Sequence, residues 1–115
     1  MIGYIETALR ARGLRQRVIA HNIANAHTPG YRRQAVRFEE ALADVMASRG
    51  RRPASQAEPE VFAPRTTPLD AAGNDVDLNR EIGELVKNDV LYKAYLRMLR
   101  GAYRKLELAM GTGGK

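Results

Sequence analysis

Apolar positions recur most regularly in the last third of the chain. Leu78, Ile82, Leu85, Asp89, Tyr92, Leu96, Leu99, Tyr103, Leu106 and Met110 follow alternating steps of four and three, and nine of the ten are apolar or tyrosine. Such steps, sustained over more than four heptads, predict one long helix with a coiled-coil-like seam. Asp77 stands where an N-cap belongs, and Gly111, Gly113 and Gly114 close the pattern. A weaker version opens the chain. Ile2, Ile5, Leu9, Ile19, Ile23 and Ala26 keep the same spacing with Arg12 and Gln16 as interruptions, while Leu14 and Val18 lie on a neighbouring stripe. Helix is therefore expected over 2–26. A shorter helix is expected at Phe38–Ser48, with Phe38, Leu42, Val45 and Met46 on one face. Between Gly50 and Gly73 neither helical nor strand periodicity persists, and Pro53, Pro59, Pro64 and Pro68 punctuate the stretch. That segment reads as a long mobile connection, with at most a short extended piece at Val61–Phe62.

These elements predict an all-α fold. Two long terminal helices pack in a coiled-coil-like layer, with a short middle helix and an irregular, partly extended central loop. Residues 1–31 hold the first helix and its closing turn, 32–77 a variable middle, and 78–115 the last helix and a flexible tail, all one domain in space. Bulk apolar material is scarce. Alanine supplies 17 of the hydrophobic residues, whereas Leu, Ile, Val and Phe together number 25 of 115. A two-helix hairpin covers each apolar stripe on one side only, so other chains are expected to complete the core. The isolated chain is expected to be partly unfolded and to gain helix on assembly.

Composition removes several classes of function. The chain has no cysteine and two histidines, which excludes disulfide frameworks, thiolate zinc sites and cysteine nucleophiles. His21 and His27 are badly spaced for sharing a ligand. Glu39 and Glu40 are adjacent, so on a helix they point about 100° apart and cannot work as an acid–base pair. Asp75 and Asp77 precede a helix and read as caps. The Gly111–Lys115 end has no helix after it to orient a phosphate. No stretch approaches a membrane span, and Arg10, Arg12, Arg15 and Arg17 break any apolar leader. No catalysis, cofactor or metal is expected.

Net charge is +6, distributed as +3 over 1–27, +3 over 28–53, −4 over 54–77 and +4 over 78–115. Lys93, Arg97, Arg100 and Arg104 form a basic stripe beside the apolar seam. Its plainest reading is solvated flanking charge whose stems cover the seam. A more specific reading pairs it with the acidic 54–77 segment of a neighbouring copy. Nucleic-acid binding lacks any aromatic-interleaved strand or reading-helix signature.

The most specific stretch runs from Asn22 to Tyr31. In Thr28-Pro29-Gly30-Tyr31, Pro29 presets φ at the second turn position and Gly30 supplies positive φ at the third, which predicts a type II turn. Asn22 and Asn25 sit three apart at the end of the first helix, where their amides can meet loose carbonyls or a neighbouring chain. Ala20 to Tyr31, with Asn-Ile-Ala-Asn-Ala and Thr-Pro-Gly-Tyr, resembles the N-terminal signature of the bacterial flagellar axial proteins. Val36-Arg-Phe-Glu-Glu-Ala-Leu42, and Val76-Asp-Leu-Asn-Arg-Glu81 opening a helix with Leu91-Tyr92, look like its smallest branch, the proximal rod proteins of the FlgB family. The resemblance covers both ends, about two-thirds of the chain, and leaves 50–73 unmatched. His27 departs from the usual Asp or Asn.

The resemblance implies a structural subunit of the flagellar basal body. Such subunits are exported unfolded by the flagellar type III apparatus without a cleaved signal, and polymerise helically around a central channel. Implied partners are further copies of the chain, other rod proteins and the junction protein between the MS ring and the rod. Asn22, Asn25, Thr28, Pro29, Gly30 and Tyr31 are then the family turn. Leu78, Ile82, Leu85, Tyr92, Leu96, Leu99, Tyr103 and Leu106 are expected to pack subunits, with Asp89 as a polar register device. Lys93, Arg97, Arg100 and Arg104 are the candidate electrostatic interface. The competing readings are a coiled-coil adaptor of another secretion assembly and, behind it, a small basic nucleic-acid-binding protein.

Overall fold

A computed structural model describes residues 1–111. Helix α1 (Ile2–Ala24) is followed by strand β1 (Ala35–Arg37), helix α2 (Glu39–Ala47), a 3-10 turn (Ala54–Gln56), strand β2 (Glu60–Phe62) and helix α3 (Leu78–Gly111). The tail expected at 112–115 lies outside the described residues. Asp77 caps α3: its Oδ1 accepts the Arg80 N–H at 3.3 Å, and its carbonyl accepts the Glu81 N–H. The side chain thereby satisfies one of the four loose donors of the first turn, and the carbonyl accepts the first regular helical bond.

The terminal helices form an antiparallel hairpin, because Asn22 of α1 meets Glu81 of α3, Arg12 and Gln16 meet Asn88, and Glu6 meets Tyr103. The two interruptions in the α1 stripe therefore face a polar residue of α3. Asn88 Nδ2 donates to the Arg12 carbonyl and to Gln16 Oε1, both at 2.8 Å. The hairpin buries its polar positions against one another and its apolar ones around them.

A second face of α1 carries the main core. Ala8, Ala11 and Val18 pack with Val36, with Phe38, Leu42 and Val45 around α2, and with Ala57 beyond the 3-10 turn. Alanines at 8 and 11 let the middle segment approach α1 closely, so small residues build this face. Phe38 lies under two guanidinium groups, with Arg12 at 5.2 Å and Arg15 at 4.6 Å from the ring centroid. Arg15 also grips both carboxylate oxygens of Glu39, at 2.6 and 2.9 Å, and the Val36 carbonyl at 2.6 Å. One α1 side chain thus fixes the β1–α2 junction.

Three expectations need correction. The fold is mostly helical but not all-α, since β1 and β2 pair antiparallel with Ala35 opposite Phe62, Val36 opposite Val61 and Arg37 opposite Glu60. The extended piece foreseen at Val61–Phe62 is one strand of this sheet. Residues 50–73 are accordingly no loose connection: β2 pairs with β1, Ala57 is buried, and Ala54 packs on the core. Met46 turns away from Phe38, Leu42 and Val45 and is half exposed. It lines a surface groove of about 400 Å³ with Met1, Tyr4 and Pro53.

The α3 seam is also rotated relative to its expected line. Leu78, Leu85, Tyr92, Leu96 and Leu99 are half-buried, but Ile82 is 50% exposed and the Asp89 side chain is 46% exposed. A strict seven-residue repeat drifts by about 20° per heptad on a straight helix. Positions 82 and 89 therefore fall off the face that meets the short α1. Asp89 pairs with Lys93 one turn on, at 3.0 Å. The polar residue inside the interface is its neighbour, Asn88, 2% exposed.

Candidate functional site: a buried polar hub and an open helix face

The turn after α1 closes by a bond from the Tyr31 N–H to the Thr28 carbonyl at 3.0 Å, with Gly30 at φ +76°. Positive φ there costs glycine nothing and would strain any other residue. Pro29 and Thr28 are exposed at the tip. The Gly30 N–H then donates to the Ala72 carbonyl at 2.9 Å, tying the turn to the loop before α3. That loop is organised by Asp70, whose Oδ1 accepts the N–H groups of Ala72 and Asn74. Asn74 in turn donates to the Ala26 carbonyl at 2.8 Å.

Asn22 and Asn25 divide the labour. Asn25 terminates α1 locally: Nδ2 donates to the His21 carbonyl at 2.9 Å, and Oδ1 accepts from the Thr28 hydroxyl at 3.1 Å. Asn22 is fully buried and makes every bond its amide allows. Oδ1 accepts from the Tyr31 hydroxyl at 2.8 Å and the Gln34 N–H at 2.9 Å. Nδ2 donates to the Gln34 carbonyl and to Glu81 Oε1, both at 2.8 Å. Because the phenol proton goes to Asn22, the Tyr31 oxygen accepts from His21 Nδ1 at 2.9 Å. An aspartate here would lose both donors and face Glu81 with like charge.

Glu81 is the centre of the hub and has no solvent exposure. Its second oxygen accepts from Arg33 Nε at 2.9 Å. An ion pair this buried survives only because each charge is met and its remaining bonds are filled. Asp75 sits beside it, accepting the Arg33 N–H and, at 3.1 Å, Arg32 Nε. Asp75 is thus an ion-pair partner of the strand approach and no helix cap, unlike Asp77. Burial pushes its carboxyl up, but those bonds outweigh burial and hold it below the ordinary range. Burial, with the charges of Glu81 and Asp75 nearby, raises the Tyr31 phenol.

Glu39 behaves like Asp75. Burial raises its carboxyl, yet the Arg15 hydrogen bonds and the backbone N–H groups of Glu39 and Phe38 hold it down to about 2, from 4.5. Groups held down in the folded chain contribute stability that is complete above their ordinary pKa and is lost as pH falls through the folded value. The melting temperature is therefore expected to be flat from pH 7 to about 5 and to fall between about 4.5 and 2. Glu39→Gln should make the decline shallower. A melting temperature that held or rose on acidification, followed by circular dichroism, would contradict this.

The other face is open. Leu106 and Met110, 46% and 72% exposed, continue the α1-facing side of α3 beyond the end of α1. Tyr103, 46% exposed, marks the boundary, with its hydroxyl on Glu6 at 3.0 Å. That bond to the Glu6 carboxylate raises the Tyr103 phenol. On the side of α3 turned away from α1, exposed Ile82, Val86 and Val90 are followed by exposed Lys93, Arg97, Arg100 and Arg104. The acidic segment expected to complement this stripe is mostly engaged in its own chain. Glu60 pairs with Arg37, Asp75 with Arg32, and Asp70 and Asp77 accept backbone N–H groups.

Residues 5–32, from the first turn of α1 through the Thr28–Tyr31 turn, match the family model of the flagella basal body rod proteins. Over 96% of its length the chain is 31% identical to the flagellar basal body rod protein FlgB of Bacillus subtilis, covering 92% of that protein. It is 32% identical to the Escherichia coli FlgB, over 94% of this chain and 91% of the other, and 30% identical to the Salmonella typhimurium FlgB, over 82% and 80%. The chain belongs to the FlgB family. By name these relatives are all flagellar basal body rod proteins. Among the described residues no group of His, Asp and Glu side chains could hold a metal ion, and no helix is long and apolar enough to cross a membrane.

The family turn and the hub meet at Asn22 and Tyr31. Glu81 and Arg33 are hub members that spacing did not single out, Asp75 was read as a cap, and Asn88, on the neighbouring Arg12–Gln16 contact, was not singled out either. For Glu81 the available signal was its place in the Val76–Glu81 run that opens the last helix.

Proposed function

We infer that this chain is a structural subunit of the flagellar basal-body rod, assembling with other basal-body components. Within that role we propose the proximal position beside the MS ring, helical polymerisation around the export channel, and contact with the ring–rod junction protein and the next rod protein. Delivery by the flagellar type III apparatus, without a cleaved signal, to a periplasmic rod belongs to the same proposal. No reaction or cofactor enters it.

The observation that carries the reading is the surplus of α3 over α1. The FlgB-family chain builds a hairpin from a 34-residue and a 23-residue helix, and the longer one runs on past Glu6 with Leu106, Leu108 and Met110 exposed. Apolar area of that kind on a small protein calls for a partner. A subunit of a packed shaft has one on every side. Basal bodies prepared in detergent from cells that make the chain are expected to contain it at constant stoichiometry to the other rod proteins. Recovery solely in the detergent-soluble fraction would overturn the reading.

A further inference from the structure

Two oppositely charged helix faces in this chain are exposed and do not meet each other. On α3, Arg97, Arg100 and Arg104 extend the basic stripe beyond the Asp89–Lys93 pair. On α2, Glu40 and Asp44 are one helical turn apart and exposed, while Leu42 and Val45 turn inward. No basic residue occupies the last turn of α2. Among the described residues, no ion pair engages Glu40, Asp44, Arg97, Arg100 or Arg104. The carboxylates of 70–77 are used internally, so α2 offers the freer acidic surface.

We propose that the outer face of α2, through Glu40 and Asp44, docks on the Arg97–Arg100–Arg104 stripe of α3 in a second copy of this chain. Glu40 and Asp44 sit at i,i+4, and Arg97, Arg100 and Arg104 step by three and four, so the charges repeat at matching helical intervals. Val45 of α2 packs in the same core that Tyr95 of α3 lies against. Each charged face is turned away from its own core. Patches on different surfaces of one molecule make a heterologous contact, which propagates from copy to copy instead of closing on itself. Exposed ion pairs are individually weak, and a line of them sets register and partner more than strength. The contact rests on the rod-subunit reading and specifies how one copy meets the next.

Charge reversal on each side, followed by mixing, tests it. The variants are Glu40→Lys with Asp44→Lys, and Arg97→Glu with Arg100→Glu, each made in the full chain. Expressed alone in cells lacking their own copy, each is expected to lower rod incorporation about tenfold or more, because like charges then face each other. Co-expressed, the two restore incorporation, since the lysines of one variant meet the glutamates of the other. Unchanged melting temperatures establish that both variants fold. The proposal is overturned if either variant assembles normally alone, if co-expression restores nothing, or if only the α3 reversal matters, which would assign the stripe to a different protein. The rod-subunit reading is judged separately, by whether the unmodified chain is found in basal bodies. Were it absent there, association of the purified chains, lost in each variant and regained on mixing at low salt, would still decide the contact.

Discussion

Glu81→Ala should abolish the cooperative unfolding transition of the purified chain, or move it by about 3–5 kcal/mol in urea. The carboxylate is fully buried, and two groups depend on it: Arg33 Nε at 2.9 Å and Asn22 Nδ2 at 2.8 Å. Removing it leaves Arg33 charged, 7% exposed and unmatched, which costs far more than the pair itself contributes. Domains of this size hold only a few kcal/mol in reserve. Glu81→Gln keeps an acceptor and loses only the charge, so its effect should fall between wild type and alanine. Replacing both partners, Arg33→Met with Glu81→Leu, should recover most of the loss. Alanine and wild type unfolding alike in urea, read by circular dichroism at 222 nm, would mean the hub contributes nothing.

That hub shows where reading by periodicity stops. Heptad steps located α1 and α3 to within a residue or two at their ends, and Pro29-Gly30 fixed the turn, because both signals are local. The ion pair at the centre joins residues 48 apart, and a glutamate at the first turn of a helix reads as favourable dipole chemistry alone. Asn88 was missed for a related reason. The seam placed its neighbour Asp89 inside, and only the drift of a seven-residue repeat against a straight partner shows that 88 is the inward position.

The middle segment was illegible for a different reason. Its packing depends on Ala8 and Ala11 receiving Phe38, Leu42, Val45 and Ala57. A count of bulky apolar residues is blind to a face made by small ones. The shortage of core material is consequently local. The core around α1 closes on itself, so the isolated chain is expected to unfold cooperatively instead of being partly unfolded. Assembly is expected to bury the far end of α3, already helical to Gly111.

Leu106→Glu combined with Met110→Glu is expected to abolish rod incorporation while leaving the isolated chain as stable as wild type. The two side chains lie on the extension of the α1-facing surface, beyond Tyr103 and its bond to Glu6. Beyond Tyr103, α3 runs another eight residues, about 12 Å at 1.5 Å per residue. Both positions are exposed in the single chain, so a charge there stays hydrated and the melting temperature should move by no more than about 2–4 °C. In a packed shaft the same carboxylates would be driven between apolar surfaces, at a cost of several kcal/mol each. The substitutions leave Arg97, Arg100 and Arg104 in place, so this outcome is independent of the charged contact between α2 and α3. Melting of the purified variant measures the first expectation and basal-body recovery the second. Normal recovery would show that the overhang of α3 faces solvent in the rod, and a collapsed melting temperature would show that it already has a partner within the chain.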